Sequence, residues 1–517
     1  MSTELTQHAD MAAADAQPGR PSRRLIVSAS LGTIFEWYDF FIYALLASII
    51  ARQFFSALNE TSAYIVTLLS FAAGTAIRPL GAMFFGHFGD MFGRKRTFIF
   101  TITLMGGATF CIGVLPTYAS WGAIAAYLLI ALRLLQGFAL GGEYGSAATY
   151  IAEHSPATRR GFYTSWIQAT APLGQIAASA VIVAIQSSVG SKNFGTWGWR
   201  IPFGLSILFL VFSFWIRLST HESPLFIRMK TRQAISKAPL RDMVSNWTNL
   251  RALLLALFGL AAGQAVAINV GMTYSFFFLA QTLKLDSQTV NVLVGIALLV
   301  TAPLFVVFGA LSDRFNRKYV ILAGLALAAL SYRPIFHALA RYANPALEAA
   351  QRDAPVAVIA DPAECAFQFN PFGTARFTSS CDIARSFLSR RGTPYISVAA
   401  PAGAIARIEA KGTSVTSFDG RRLPSAEFAR RAALTNAAFN RLVTDAGYPV
   451  KADPARIDKP MIVLLLVLLM GFAALIYGPM AALLVEMFPT RVRLSSVSTA
   501  YNIGNGWFGG FTSPIAF

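Results

Sequence analysis

The stretch Gly86-His87-Phe88-Gly89-Asp90-Met91-Phe92-Gly93-Arg94-Lys95-Arg96 lies between two apolar runs. In the second half of the chain Gly309-Ala310-Leu311-Ser312-Asp313-Arg314-Phe315-Asn316-Arg317-Lys318 repeats its pattern in the same setting. In each turn a glycine permits close helix approach, an aspartate is able to cap a neighbouring helix N-terminus, and cations hold the loop on the cytoplasmic side. A polar turn repeated between apolar runs implies two homologous helical bundles, with Gly86, Asp90, Gly93, Arg94 and Lys95 in one gate and Gly309, Asp313, Arg314 and Arg317 in the other.

The surrounding composition belongs to a membrane. A chain of 517 residues with 55% hydrophobic and 13% charged content, at a mean hydropathy of +0.53, cannot bury its apolar surface in one soluble core. Runs of about 20 apolar residues, the length that crosses a bilayer, recur near 25–50, 62–86, 97–115, 121–143, 162–188, 200–219, 252–280, 288–311, 319–338, 460–484 and 494–517. Eleven helices are expected. Met1 to Arg20 are polar and Ala-rich and no short apolar stretch with a cleavage site follows, so no signal peptide is expected.

Arg23 and Arg24, Arg94 to Arg96, Arg159 and Arg160, the Arg228 to Arg241 linker, Arg314 to Lys318, and Arg491 with Arg493 all fall on one side of these spans. The positive-inside rule makes that side cytoplasmic and the N-terminus internal, in a multi-pass protein of the cell inner membrane. The net charge of +18 is then a basic face against anionic lipid, and no nucleic-acid partner is needed.

A second repeated loop locates an insertion. Glu153, Pro156, Arg159 and Arg160 follow the fourth span, and Glu486, Pro489, Arg491 and Arg493 follow the tenth. The offset is 223 residues for Gly86 and Gly309 but 333 for Glu153 and Glu486, so about 110 extra residues lie between the ninth and tenth spans. The chain divides into a cytoplasmic tail (1–24), a six-helix bundle (25–219), a cytoplasmic linker (220–251), helices seven to nine (252–338), an extracytoplasmic insert (339–459) and helices ten and eleven (460–517). Runs at Pro394 to Ala399 and Ala404 to Ala410 and a helical pattern from Ser425 to Ala446 favour a folded α+β insert over disorder. Cys365 and Cys381, sixteen apart in an oxidising compartment, are a candidate disulfide. Cys111, in the third span, is expected to be packing. By the 333 offset, the counterpart of the sixth span, which opens with Gly198-Trp199-Arg200-Ile201-Pro202, would begin beyond Phe517, so a twelfth helix is missing: the sequence is either truncated, the favoured reading, or an eleven-span variant.

Polar residues inside the spans are the transport candidates. Glu36, Asp39 and Tyr43 share one face of the first helix. Arg133 in the fourth span, followed by Gln136, needs a carboxylate, a substrate anion or water, and Asp39 is the preferred partner. Protonating Asp39 would free Arg133 for an anionic substrate; the alternative is a permanent pair that only fixes packing. Arg78, beside Pro79, faces the cavity or satisfies the carbonyl that Pro79 frees. Softer candidates are Gln168, Gln264, Asn269, Tyr274 and Asn502. Gly137, Gly141 and Gly145 form a ridge for close helix contact.

The two turns have the spacing of the loop signature of the major facilitator superfamily, which the chain resembles. Glu36-Trp37-Tyr38-Asp39-Phe40, Arg78-Pro79-Leu80-Gly81, Arg133-Leu134-Leu135-Gln136-Gly137 with Gly141-Gly142-Glu143, Gly198-Trp199-Arg200-Ile201-Pro202 and Phe488-Pro489-Thr490-Arg491-Val492-Arg493 resemble its metabolite:proton symporter branch. The resemblance implies an all-α membrane fold of two six-helix bundles related by pseudo-two-fold symmetry, no cofactor beyond the coupling proton, and a small organic acid or zwitterion as substrate of a monomeric carrier. Two positions depart from the pattern: Met91 stands where arginine usually follows the aspartate, and Asn316 replaces the second turn's later glycine. The leading expectation is proton-coupled uptake by alternating access. The alternatives are efflux or exchange on the same fold, or a transporter-like sensor using the insert. An enzyme is not expected, because no metal-ligand cluster, nucleotide loop or nucleophile motif stands out.

Overall fold

The computed structural model describes residues 23–58, 60–218, 222–366, 377–510 and 512. Among them, eight helices are long and apolar enough to cross a membrane, or up to ten if each of two bent pairs is one span. The bent pairs are Ser30–Leu45 with Ala47–Phe54, at 62°, and Ser191–Gly198 with Arg200–Trp215, at 60°. The remaining expected span, near 494–517, is helical over Arg493–Ile503 and continues in widened turns over Gly504–Gly509. It is too short among the described residues to be counted, and 513–517 lie outside them.

Several helices outrun their apolar cores. The fourth runs Ala123–His154, past the expected end at 143, because Tyr144 to Glu153 pack inside the protein, not against lipid. The second breaks at Ile77, between Glu60–Ala76 and Arg78–Phe92, where Pro79 has no N–H to continue the ladder. Apolar side chains such as Trp215, Phe258, Leu299 and Leu330 point outward, as a lipid-facing surface requires. Cys111 is also exposed; it is a surface residue of its helix and not the packing residue expected.

The chain forms two compact units. The first comprises the described residues of Met1–Gly271, Leu298–Leu330 and Met470–Phe517. One of its apolar clusters gathers Tyr144, Ile151, Ile167, Tyr477, Leu484, Val497 and Tyr501; another gathers Tyr38, Ile42, Ile50, Phe54, Leu129, Trp199 and Phe203. The glycine ridge lies at their crossings: a Cβ on Gly137 would strike the Gly74 carbonyl, one on Gly141 the Arg78 carbonyl, and one on Gly145 the Ser498 side chain.

The second unit comprises Met272–Ala297 and Ser331–Leu469. It holds the insert, an α+β module. A four-stranded sheet runs in the order β2-β1-β3-β4, with β1 Ala357–Ala360, β2 Ile396–Ala399, β3 Arg407–Ala410 and β4 Thr413–Thr416. β1 is parallel to β2 and antiparallel to β3. The β3–β4 hairpin turns through Lys411 and Gly412, both at positive φ, which matches the right-handed twist of the strands. The helices Ser380–Arg391 and Ser425–Asp445 contribute Ile383, Phe387, Phe439 and Val443 to a core with Val358 and Ile408. Cys365 and Cys381 are joined by a disulfide. The Gly403 and Ala363 amides donate to Asp361 and hold its carboxyl below the usual range. Module and helices are stitched where they meet: Asn344 Nδ2 donates to the Leu283 carbonyl (2.9 Å), Ala452 N to that of Lys284 (3.0 Å), and Asp458 N to that of Tyr342 (3.0 Å).

Candidate functional site

The repeated turns build two matching charge clusters in the first unit. Asp90 pairs with Arg94 at 3.0 Å and accepts from Leu494 N (3.2 Å), Ser495 N (2.8 Å) and Ser495 Oγ (2.9 Å). It therefore caps the helix that begins at Arg493. Asp313 pairs with Arg317 at 3.1 Å and accepts from Gly161 N and Phe162 N, both at 2.8 Å, capping the helix that begins at Arg160. Glu153 meets Arg94 (3.6 Å), Arg493 (3.0 Å) and the Ser223 hydroxyl. Its counterpart Glu486 meets Arg160 (2.9 Å) and Arg317 (3.2 Å). Each turn thus ties itself to a helix of the other half.

Glycine makes that approach possible. A Cβ on Gly86 would lie 2.6 Å from the Ser495 Cα, and one on Gly309 2.7 Å from the Gly161 carbonyl. Gly93 sits at φ +116°, and Lys95 Nζ donates to the Leu218 carbonyl. Arg314 is exposed.

In the same unit a small cavity is lined by Thr33, Glu36, Trp37, Arg78, Leu140, Tyr144, Ile167, Tyr477, Tyr501 and Asn502. Glu36 and Arg78 are buried and within electrostatic reach of each other. The Arg78 guanidinium lies 5.0 Å over the Phe40 ring, and its Nε has no hydrogen-bond partner among the described residues. Tyr144 and Tyr501 stack at 3.4 Å, and the Tyr501 and Tyr477 hydroxyls meet at 2.5 Å. Asn502 Nδ2 donates to the Gly141 carbonyl at 2.8 Å. Gln168 Nε2 donates to the Tyr144 hydroxyl at 2.7 Å, so it holds a wall from behind.

A second small cavity is lined by Gly32, Phe35, Glu36, Asp39, Ile102, Met105, Gly106, Phe209, Leu210 and Ser213. Glu36 borders both cavities. Asp39 accepts from Ser206 Oγ at 2.5 Å.

The expected Asp39–Arg133 ion pair does not form: among the described residues no cation lies within 4 Å of Asp39. Arg133 turns to neutral partners instead. Arg133 Nη1 donates to Gln136 Oε1 (2.6 Å), and Gln136 Nε2 donates to Thr109 Oγ1 (2.6 Å). The rest of the Arg133 charge rests on aromatic faces, 4.1 Å from the Tyr43 centroid and 5.1 Å from that of Phe71. The Tyr43 hydroxyl meets Ser70.

The softer candidates divide. Gln264 Oε1 accepts from Asn505 (3.1 Å), and Asn269 Nδ2 is spent on the Ala265 carbonyl of its own helix (2.9 Å). Tyr274 belongs to the second unit, where its ring packs on Phe278 and Phe336. Thr109, Ser206, Tyr144 and Tyr477 are absent from the sequence-based candidates. Helix hydroxyls of this kind usually serve their own backbone, and nothing local marks them.

The family model described as Sugar (and other) transporter matches residues 25–243 and 229–352. The proline/betaine transporter of Salmonella typhimurium is 36% identical over 318 residues, 60% of this chain and 63% of that protein. The shikimate transporter of Escherichia coli K12 is 32% identical over 322 residues, 62% of this chain and 73% of its own length. Among solved structures, the major facilitator proton:xylose symporter XylE bound to 6-bromo-6-deoxy-D-glucose aligns with a TM-score of 0.54 at 16% identity, over 95% of this chain and 87% of its own; at that identity the likeness is one of fold.

Proposed function

We propose, from the premise that this chain belongs to the Sugar (and other) transporter family, that it is a proton-coupled carrier taking up a small zwitterion or organic acid by alternating access. The observation that carries this reading is the first cavity, where a buried guanidinium and a buried carboxylate stand among tyrosine and tryptophan faces. Arg78 offers a fixed cation to a substrate carboxylate. Glu36 and the faces of Trp37, Tyr144 and Tyr501 suit a compact cationic group, since aromatic rings attract desolvated ammonium. Opposite charges lining one small pocket favour a zwitterion over a simple acid.

Asp39 is the coupling residue in this reading, and the paired charge clusters are the closed cytoplasmic gate. Uptake into proteoliposomes tests it, with labelled glycine betaine, proline and shikimate, with and without an inward proton gradient. Asp39→Asn is expected to abolish gradient-driven accumulation while leaving exchange, and Arg78→Lys to weaken carboxylate uptake by about tenfold, because a point charge replaces a planar fork. Undiminished accumulation by Asp39→Asn would remove the coupling role. Equal uptake of all three compounds by Arg78→Lys and the parent would remove the carboxylate site.

A further inference from the structure

Cys365 lies in the loop that leaves β1, and Cys381, bonded to it, is the second residue of the helix Ser380–Arg391, which carries the chain to β2. β1 and β2 are parallel neighbours. The disulfide therefore sits beyond the C-terminal ends of a βαβ unit, the edge where such units bind ligands and where redox dithiols on this scaffold act. Its two sulfurs are not equivalent: Cys381 is at 0% exposure, whereas Cys365 is partly open to solvent.

The pair is also held together by more than its own bond. Ser379 Oγ donates to the Glu364 carbonyl at 2.7 Å, and Ala366 N donates to Asp382 Oδ1 at 2.9 Å. The residues before and after Cys365 are thus both tied to the helix start that carries Cys381. The neighbouring loop adds Gly403 N to Asp361 Oδ2 at 2.8 Å and Ala406 N to Ser380 Oγ at 3.0 Å. A bond that only stapled the fold would not need such duplication. With these ties in place the sulfurs stay within reach of each other when the bond opens, as reversible exchange requires.

We propose that Cys365–Cys381 is a redox-active disulfide that exchanges with external dithiols, Cys365 being the sulfur attacked and Cys381 the leaving thiolate. A substrate thiolate attacks Cys365 Sγ. A substrate–Cys365 S–S bond forms, the Cys365–Cys381 bond breaks, and its electron pair leaves on Cys381 Sγ. There the thiolate meets the amides of the first helical turn, which stabilise negative charge, and a stabilised thiolate leaves faster. The substrate's second thiolate then attacks its own first sulfur and expels Cys365 as a thiolate. Both cysteine sulfurs take up the protons that the substrate thiols release. The substrate loses two electrons and two protons and becomes a disulfide, and the cysteine pair gains them. Two acids bear on these steps. Glu364, beside Cys365, is paired with Arg421 at 2.9 Å, which offsets its repulsion of an incoming thiolate. Asp382, beside Cys381, opposes the leaving thiolate, and the Ala366 amide draws off part of its charge. The chain's remaining cysteine, Cys111, is a single thiol, so the dithiol comes from another molecule.

The test uses the full chain in detergent, in a Cys111→Ser background. The oxidised protein is mixed with a reduced Cys-Xaa-Xaa-Cys peptide or, in a parallel arm, with dithiothreitol; samples are quenched in acid, and free thiols are counted by alkylation and mass. Opening is expected about tenfold faster than that of glutathione disulfide in the same mixture, the gain from a leaving thiolate held at a helix N-terminus. The protease-digestion pattern of the reduced protein is expected to match that of the oxidised one. A faster peptide arm marks a polypeptide as the source of the dithiol, and a faster dithiothreitol arm a small molecule. With glutathione disulfide as probe, Cys381→Ser is expected to capture one glutathione on Cys365, and Cys365→Ser none on Cys381. Opening no faster than that of glutathione disulfide, or only in denaturant, overturns the proposal and leaves the bond as a staple; glutathione captured as readily on Cys381 overturns the assigned roles. If a serine variant fails to fold, the opening rate of the disulfide-intact protein decides alone.

Discussion

The two charge clusters share one design and differ in how deeply it is set. In the first, the side chains of Asp90, Arg94 and Glu153 are all at 0% exposure; in the second, Asp313 stands at 7%, Arg317 at 17% and Glu486 at 29%. The cause is the linker. Ser223 bonds Glu153, the Phe226 ring lies 4.8 Å from the Arg94 guanidinium, and Glu222 accepts from the Arg94 and Lys95 amides. The second cluster has Asn316 instead, which caps its own helix by accepting from Lys318 N at 3.1 Å. Repetition of a motif therefore does not repeat its energetics: a charge sealed from water depends on its partners, while one at the rim falls back on solvent.

The largest test of that contrast is removal of the central aspartates. Asp90→Ala takes the nearer carboxylate from the buried Arg94, leaving it Glu153 at 3.6 Å, uncaps Leu494 and Ser495, and is expected to lower stability by about 3–5 kcal/mol. Asp313→Ala uncaps Gly161 and Phe162 beside a cation that water can reach, for about 1–2 kcal/mol. Unfolding of the detergent-solubilised protein measures both, and equal losses would end the distinction. The glutamates come next: Glu153→Gln is expected to cost about 3 kcal/mol, since the buried Arg94 and the part-buried Arg493 each lose a charge partner, against under about 1 kcal/mol for Glu486→Gln. Raising salt should weaken the second cluster selectively, because screening acts on exposed pairs. Smallest are the caps, Glu222→Ala and Asn316→Ala, each worth about 1 kcal/mol or less. A larger loss at Asn316 would show that the second turn leans on its departure from the family pattern.

Much of the fold was legible because its signals are local. The apolar runs place the spans, and the disagreement between the two repeat offsets places the insert. Spans were drawn too short where polar or small residues, as from Tyr144 to Glu153, are buried against other helices. Hydropathy reads such residues as loop. At the site, Glu36 and Arg78 were visible as charges out of place in apolar sequence, and both border the cavity. Thr109 was not visible, because its interest comes from Gln136 on another helix, and no spacing rule spans that distance. Asp39 and Arg133 do not form the expected pair: opposite charges suggest contact, and only the packing shows that Arg133 turns to Gln136 and two aromatic faces.

The 3.0 Å bond from Asp458 N to the Tyr342 carbonyl returns the chain, after more than a hundred residues, to the spot where it left the ninth helix. The module has the geometry of a cassette with both leads on one socket. Its helical host would need only a short splice to close over the gap, and a foreign module with similarly close ends could be seated there without retuning the helices. Grafting at this junction offers a place for a reporter that follows the ends of the two flanking helices while leaving their sequence untouched.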